Sequence, residues 1–238
     1  MLAAAVGLPL AYLLITVGGS AAEAAEVIFT SRTAALCARS VGLAGAVTAA
    51  ALAIAVPLAW LTARTDLPGR RAWTVLAALP IVVPSYIGAY AFLSAFGPTG
   101  LLRDLLGVER LPDMTGFFGA WLVLTLFTYP LILLPVRAAL RGLDPQLEEA
   151  ALGMGRSRWQ AFRSVVLPQL APAIGAGAVL VALYVLHDFG AVSIMRFESF
   201  TREIYTLYRA SFDRTGAASL ALVLVGLMLV LLWIESRS

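Results

Sequence analysis

The 238 residues are 61% hydrophobic and only 13% charged, with a mean hydropathy of +0.89, too little charge to cover a water-soluble domain of this length. All 17 basic residues are arginine, and the absence of lysine excludes a P-loop ATPase and a Schiff-base enzyme. One cysteine (Cys37) and one histidine (His187) exclude a Cys/His metal cluster and an intrachain disulfide too; a Ser–His hydrolase would have to use His187, and no G-x-S-x-G elbow is present, while the net charge of +3 matters less than where the charges fall.

A helix crosses the hydrocarbon core with about 20 apolar residues. Apolar runs of that kind lie at residues 2–19, 38–62, 72–96, 116–136, 165–186 and 217–234, with Arg39 the one charge among them. They are continuously apolar rather than alternating, which argues for helices over membrane strands. The first run ends in Ser20-Ala-Ala-Glu-Ala-Ala25, which resembles a leader cleavage site; no basic segment precedes it, and it reads as a retained helix. The second run is rich in small residues (Gly42, Gly45, Ala46, Ala49, Ala50, Ala53) that let backbones approach closely, which predicts a span inside a bundle. The third carries Pro80 and Pro84 ahead of Tyr86, Gly88 and Tyr90, and the fourth carries Pro130 and Pro135. Each proline frees a backbone carbonyl, so kinks are expected in both spans. Such spans line a pathway or move, or else hold the prolines common in membrane helices.

The linker from Leu143 to Pro168 carries the most local information. Asp144 is placed to cap a helix that opens on Pro145, where the missing N–H costs nothing. Leu147, Ala150, Ala151 and Met154 then share one face, and Gly153 and Gly155 supply left-handed residues to end the helix. Ser157 and Gln160 form a capping box for a second short helix, and Pro168 marks entry into the fifth span. A helix lying in the lipid interface usually sets Trp, Phe and Leu against many basic residues. Here Leu, Ala and Met stand beside Glu148 and Glu149, which suits a groove in another protein.

Glu149-Ala150-Ala151, three residues, Gly155, nine residues, Val165, one residue and Leu167-Pro168 are together similar to the EAA signature of ABC-importer permeases, with Val165 where isoleucine is usual. Thr65–Arg70, Leu79–Tyr86, Asp188–Ser193 and Phe200–Tyr205 resemble the ferric-iron-type branch of those permeases. The resemblance implies an all-α, polytopic transmembrane helix bundle of about six spans, with a cytoplasmic coupling helix between spans four and five. It implies one permease domain over residues 1–238 with its coupling loop at 143–168. Glu149, Ala150, Ala151, Gly155, Val165, Leu167 and Pro168 are then the ATPase-coupling residues. The implied partners are a cytoplasmic ABC ATPase dimer, a periplasmic solute-binding protein, a second permease half or copy, and membrane lipid. The implied location is the bacterial inner membrane, with loop and C-terminus in the cytoplasm. Ferric iron is the first solute the resemblance suggests, with thiamine or another small solute as alternatives. Members of the branch commonly fuse two six-span halves, so this chain reads as the first half of a fused permease, a split gene product or a self-dimerising subunit.

With the loop inside, nine arginines (64, 70, 71, 137, 141, 156, 158, 163, 237) fall inside and eight (32, 39, 103, 110, 196, 202, 209, 214) outside. That split is too even for the positive-inside rule, so the orientation rests on the resemblance. Asp188, Glu198 and Tyr205 follow the fifth span. Their oxygens suit a hard cation in transit, but capping and ion-pair roles at a solvated face are the stronger reading. Tyr86 and Tyr90 line the path or, as favoured here, pack between helices. No catalytic residue, resident metal, cofactor or nucleic-acid partner is expected. A secondary transporter or channel would need ionisable groups within the spans, where almost none occur, and a membrane enzyme would need catalytic groups that the composition lacks.

Overall fold

The structure, a computed structural model, describes residues 2–97, 100, 105, 107 and 114–237. Among the described residues every regular element is helical. Four stretches are long and apolar enough to cross a membrane unbroken, and two bent pairs raise the number to six, in agreement with the runs read from the sequence.

Helix α1 (Leu2–Gly19) is followed by α2 (Ala21–Ile28), and the axis turns by 100° between Gly7–Gly19 and Ala21–Ile28. Helix α3 (Ser31–Arg64) starts where Thr30 Oγ1 accepts the Thr33 N–H at 3.1 Å. At about 1.5 Å per residue it is about 50 Å long, well beyond the hydrocarbon core of about 30 Å. Its buried stripe is Ala44, Val47, Ala51, Ala55 and Ala59. The small residues do bring the helix into the bundle, yet Gly42, Gly45, Ala49 and Ala53 stand on its exposed side. Small size permits close packing on any face; the facing helices decide which face is used.

The third span is broken. Helix α4 (Arg70–Ala78) runs into a 3-10 turn at Leu79–Val82, and α5 (Ser85–Phe96) leaves at 97° to it. Val83 is extended (φ −83°, ψ 121°), as a residue before proline tends to be, and Pro84 continues extended before α5 begins. The fourth span, by contrast, remains one stretch from Gly116 to Gly142, made of α6 (Gly116–Thr128) and α7 (Pro130–Gly142). Pro130 falls in the opening turn of α7, where its missing N–H is harmless. The kinks expected in both spans therefore become one sharp break and one continuous span. The fourth span is also the central one: 56% of its most apolar window is buried, against 28% for each of the other three unbroken spans.

Helix α8 (Pro145–Gly153) forms the first half of the loop. The second short helix, α9 (Arg158–Ala161), is not separate from the fifth span as the sequence suggested. It runs through a π-turn at Phe162–Val166 into α10 (Leu167–His187), giving a continuous rod of 30 residues. Pro168 has no N–H to offer the turn before it, and the helix widens there, with the Leu167 N–H donating to the Phe162 carbonyl five residues back. Helices α7 and α10 approach almost backbone to backbone: a Cβ on Gly177 would lie 2.9 Å from Ile132 Cα. Helices α11 (Gly190–Ile194), α12 (Phe200–Arg209) and α13 (Arg214–Glu235) complete the chain. α13 packs against α1, α2, α10 and α12, and its first turn is capped by Asp213 Oδ1, which accepts the Gly216 N–H at 2.7 Å.

The bundle has two distinct ends. At the loop end, Arg64 Nη2 donates to the Leu143 carbonyl at 3.1 Å and Arg137 Nε donates to Thr62 Oγ1 at 3.2 Å. At the far end, Arg32 pairs with Glu203 at 2.7 Å and Arg39 with Glu198. These contacts divide the arginines involved as the sequence did; Arg103 and Arg110 lie outside the described residues.

Candidate coupling loop and pathway face

The loop closes its own backbone. Asp144 Oδ1 accepts the Gln146 N–H at 3.0 Å, and Pro145 opens α8. At the other end of α8 the Gly155 N–H reaches the Leu152 carbonyl at 2.9 Å and the Arg156 N–H reaches that of Ala151 at 3.2 Å. Gly155 is left-handed (φ 82°), as expected; Gly153 is not, and belongs to the last turn of the helix. The capping box is complete: Ser157 Oγ accepts the Gln160 N–H at 3.3 Å and Gln160 Oε1 accepts the Ser157 N–H at 2.9 Å. Arg156 Nη1 donates to Ser164 Oγ at 2.5 Å, which ties the bend to the start of the rod.

The single face read from the sequence divides in two. Ala151 is 1% exposed, buried where α8 packs on the π-turn, while Leu147 and Ala150 point outward and Met154 is 73% exposed. Trp159 adds to this outward set at 67% exposed. It stacks on Phe162 at 5.6 Å, and Phe162 meets Trp60 of α3 edge-on at 4.9 Å, so an aromatic ladder carries the bundle core out to the loop surface. Glu149 is exposed and, among the described residues, has neither an ion pair nor a side-chain hydrogen bond. Val165 and Leu167 are half-buried and Pro168 is exposed. The apolar face beside an unengaged carboxylate is what a protein groove would receive. Trp159 was missed from sequence because the helical spacing was followed only through α8.

At the far end the pathway candidates separate. Tyr86 and Tyr90 sit at i and i+4 on α5, and both are exposed on this chain, Tyr90 to 68%, instead of packing between its helices. Tyr205 is half exposed and lies against Phe189 at 4.9 Å. Glu198 is exposed and paired with Arg39. Asp188 is different: it is 6% exposed, and its Oδ1 accepts the N–H groups of Ala191 at 2.8 Å and Val192 at 3.4 Å while Oδ2 accepts from Ser85 Oγ. Its carboxyl is thus engaged in capping α11 and holding α5. Ser85, which sequence reading did not single out, belongs to this group; it sits inside the Leu79–Tyr86 segment that carried the resemblance. Among the described residues no group of three or more His, Cys, Asp or Glu could hold a metal ion.

A broken-span helical bundle with four to six apolar spans is the architecture of a polytopic membrane protein. Residues 55–236 match the family described as binding-protein-dependent transport system inner membrane component, and the chain belongs to that family. It is similar to the Fe(3+)-transport system permease protein FbpB 2 of Haemophilus influenzae, with 33% identity over 210 residues, covering 88% of this chain and 38% of that protein. The chain thus spans well under half the length of that relative. It is also similar to the molybdenum transport system permease protein ModB of Escherichia coli, with 32% identity over 189 residues, covering 74% of this chain and 80% of ModB. Among solved structures, an inward-facing MetNI methionine ABC transporter matches with a TM-score of 0.66 at 19% identity, over 88% of this chain and 97% of that one, a likeness of fold. The chain is a multi-pass transport component and not an enzyme.

Proposed function

We propose that this chain is the permease subunit of an ABC importer and supplies half of a solute pathway. Its loop 143–168 docks on a cytoplasmic ATPase dimer, a periplasmic binding protein delivers solute to the far end, and a second permease half or copy completes the pathway. ATP binding would draw the two coupling loops together and rock the spans between outward and inward openings. The observation that carries this reading is the loop itself: an internally closed helix pair that presents Leu147, Met154 and Trp159 outward beside Glu149, in a chain of the binding-protein-dependent family.

The solute we infer is ferric iron, supported by 33% identity to FbpB 2 over 88% of the chain. The nearly equal identity to ModB supports molybdenum as the second reading. Co-purification with a P-loop ATPase, followed by ATP-driven uptake of labelled iron(III) and of molybdate in proteoliposomes with the cognate binding protein, tests both levels. Absence of any ATPase partner sinks the permease assignment; uptake of molybdate alone replaces the solute. The loop is assigned to the cytoplasm, and labelling of Ser157→Cys by an impermeant reagent in intact cells would reverse that.

A further inference from the structure

Two backbone breaks meet at the far end of the bundle. One is the 97° bend at Val83–Pro84, after which α5 starts at Ser85. The other is the end of the rod Arg158–His187, where the chain leaves α10 and turns into α11. Asp188 sits at the second break and bonds to everything around it. Its N–H donates to the Tyr184 carbonyl at 3.0 Å and closes α10. Its Oδ1 receives the Ala191 and Val192 N–H groups in the opening turn of α11, and its carbonyl receives Thr201 Oγ1, from the first turn of α12, at 2.7 Å. Its Oδ2 receives Ser85 Oγ, the first side chain of α5.

Packing reinforces the bond. A Cβ on Gly190 would lie 2.7 Å from Tyr86 Cβ, so the turn after Asp188 already presses on the residue next to Ser85. Buried and bonded to four element ends, this residue commits both carboxylate oxygens to the protein itself. What it can do is transmit position. The loop that starts the rod and the carboxyl just beyond the rod's other end are joined by one continuous helix of 30 residues, about 45 Å long. Displacement of the loop carried along this helix would reach Asp188, and from there α5, whose outward face carries Tyr86 and Tyr90.

We propose that Asp188 is a positioning residue for transport: through Ser85 it makes the Tyr86–Tyr90 face of α5 follow the coupling loop. The proposal rests on the permease reading above and assigns the residue that delivers loop motion to the pathway.

The test uses the full complex with its ATPase and binding protein. Ser85→Ala removes the clasp and leaves the caps that Asp188 provides to α11. Solute moved per ATP hydrolysed is expected to fall about tenfold, the scale of one hydrogen bond to a charged group, with assembly and hydrolysis retained. Ser85→Thr, which keeps the hydroxyl, should restore the ratio. With Cys37→Ser in the background, Tyr90→Cys should change its reactivity to a polar maleimide between the resting and vanadate-trapped states, and lose that change with Ser85→Ala. A loosened fold alone would lower assembly or hydrolysis and leave the ratio intact. A wild-type complex without ATP-driven uptake overturns the permease reading and this inference together. A wild-type complex that transports, with Ser85→Ala matching its ratio, or with Ser85→Thr no better than Ser85→Ala, overturns the inference alone.

Discussion

The two ends of the rod Arg158–His187 are built in opposite ways. At the loop end most polar contacts are local, between residues two to eight apart: Asp144 with Gln146, Ser157 with Gln160, Arg156 with Ser164. Large apolar side chains are left outside. At the far end, beside local caps, side-chain contacts also bridge distant parts of the chain: Ser85 with Asp188, Ser40 with the Phe200 N–H at 3.2 Å, Arg32 with Glu203. A segment that satisfies its own backbone can be carried as a unit and can leave its apolar face for a partner. A segment held by long-range bonds cannot move without moving its neighbours. The proposed coupling requires such a difference, between a part that receives motion and a part that distributes it.

Gly155→Val gives the largest expected effect and strikes the local end. Nothing lies within 4 Å of the added Cβ, so the cost is conformational, about 1–2 kcal/mol for a side chain held left-handed. The α8 docking angle is lost: uptake should vanish and ATPase co-purification should drop, while the amount in the membrane stays normal. Normal uptake by this variant would break the comparison outright. Gly190→Ala probes the other end. The new Cβ meets Tyr86 Cβ at 2.7 Å and its backbone nitrogen at 3.3 Å, an overpacking of about 1–3 kcal/mol. Thermal unfolding in detergent should come earlier and uptake should fall, with the ATPase still bound.

Trp159→Ala should weaken ATPase binding about tenfold, at the lower range for an aromatic anchor, with insertion untouched. Glu149→Ala should act in the same direction and less strongly than Gly155→Val; titration of the purified ATPase onto permease in nanodiscs measures both. Glu198→Gln should do least. Its pair with Arg39 has side chains 52% and 65% exposed, and such pairs contribute less than about 1 kcal/mol. Uptake and stability should be unchanged; a clear loss would extend the far-end junction to α3.

The same contrast governs what could be read without coordinates. The caps at Asp144 and Ser157 and the left-handed Gly155 follow from residues a few positions apart, and each occurs as read. The six apolar runs likewise lie on helices, because lipid imposes the same demand on every span. Proline positions were legible but their outcome was not. Pro130 opens a helix harmlessly, whereas Pro84, with an extended Val83 before it, turns the chain through 97°. The small residues of α3 were legible but not which of them face the bundle, because glycine and alanine mark a capacity for contact rather than its direction. Asp188 and Ser85 are 103 residues apart, and no spacing rule connects them.

The π-turn at Phe162–Val166 has a geometric corollary. One residue more per turn than an α-helix requires is equivalent to a single-residue insertion, and each residue advances an α-helix by about 100°. Everything before the turn is therefore set at an azimuth around the fifth span that an unbroken α-helix would not give. Deleting one residue between Phe162 and Val166 would leave α8 and α9 unaltered and swing Trp159, together with the α8 face, about a quarter of a revolution around the axis of the fifth span. The direction in which the exposed face of the loop points is thus encoded by a count of residues.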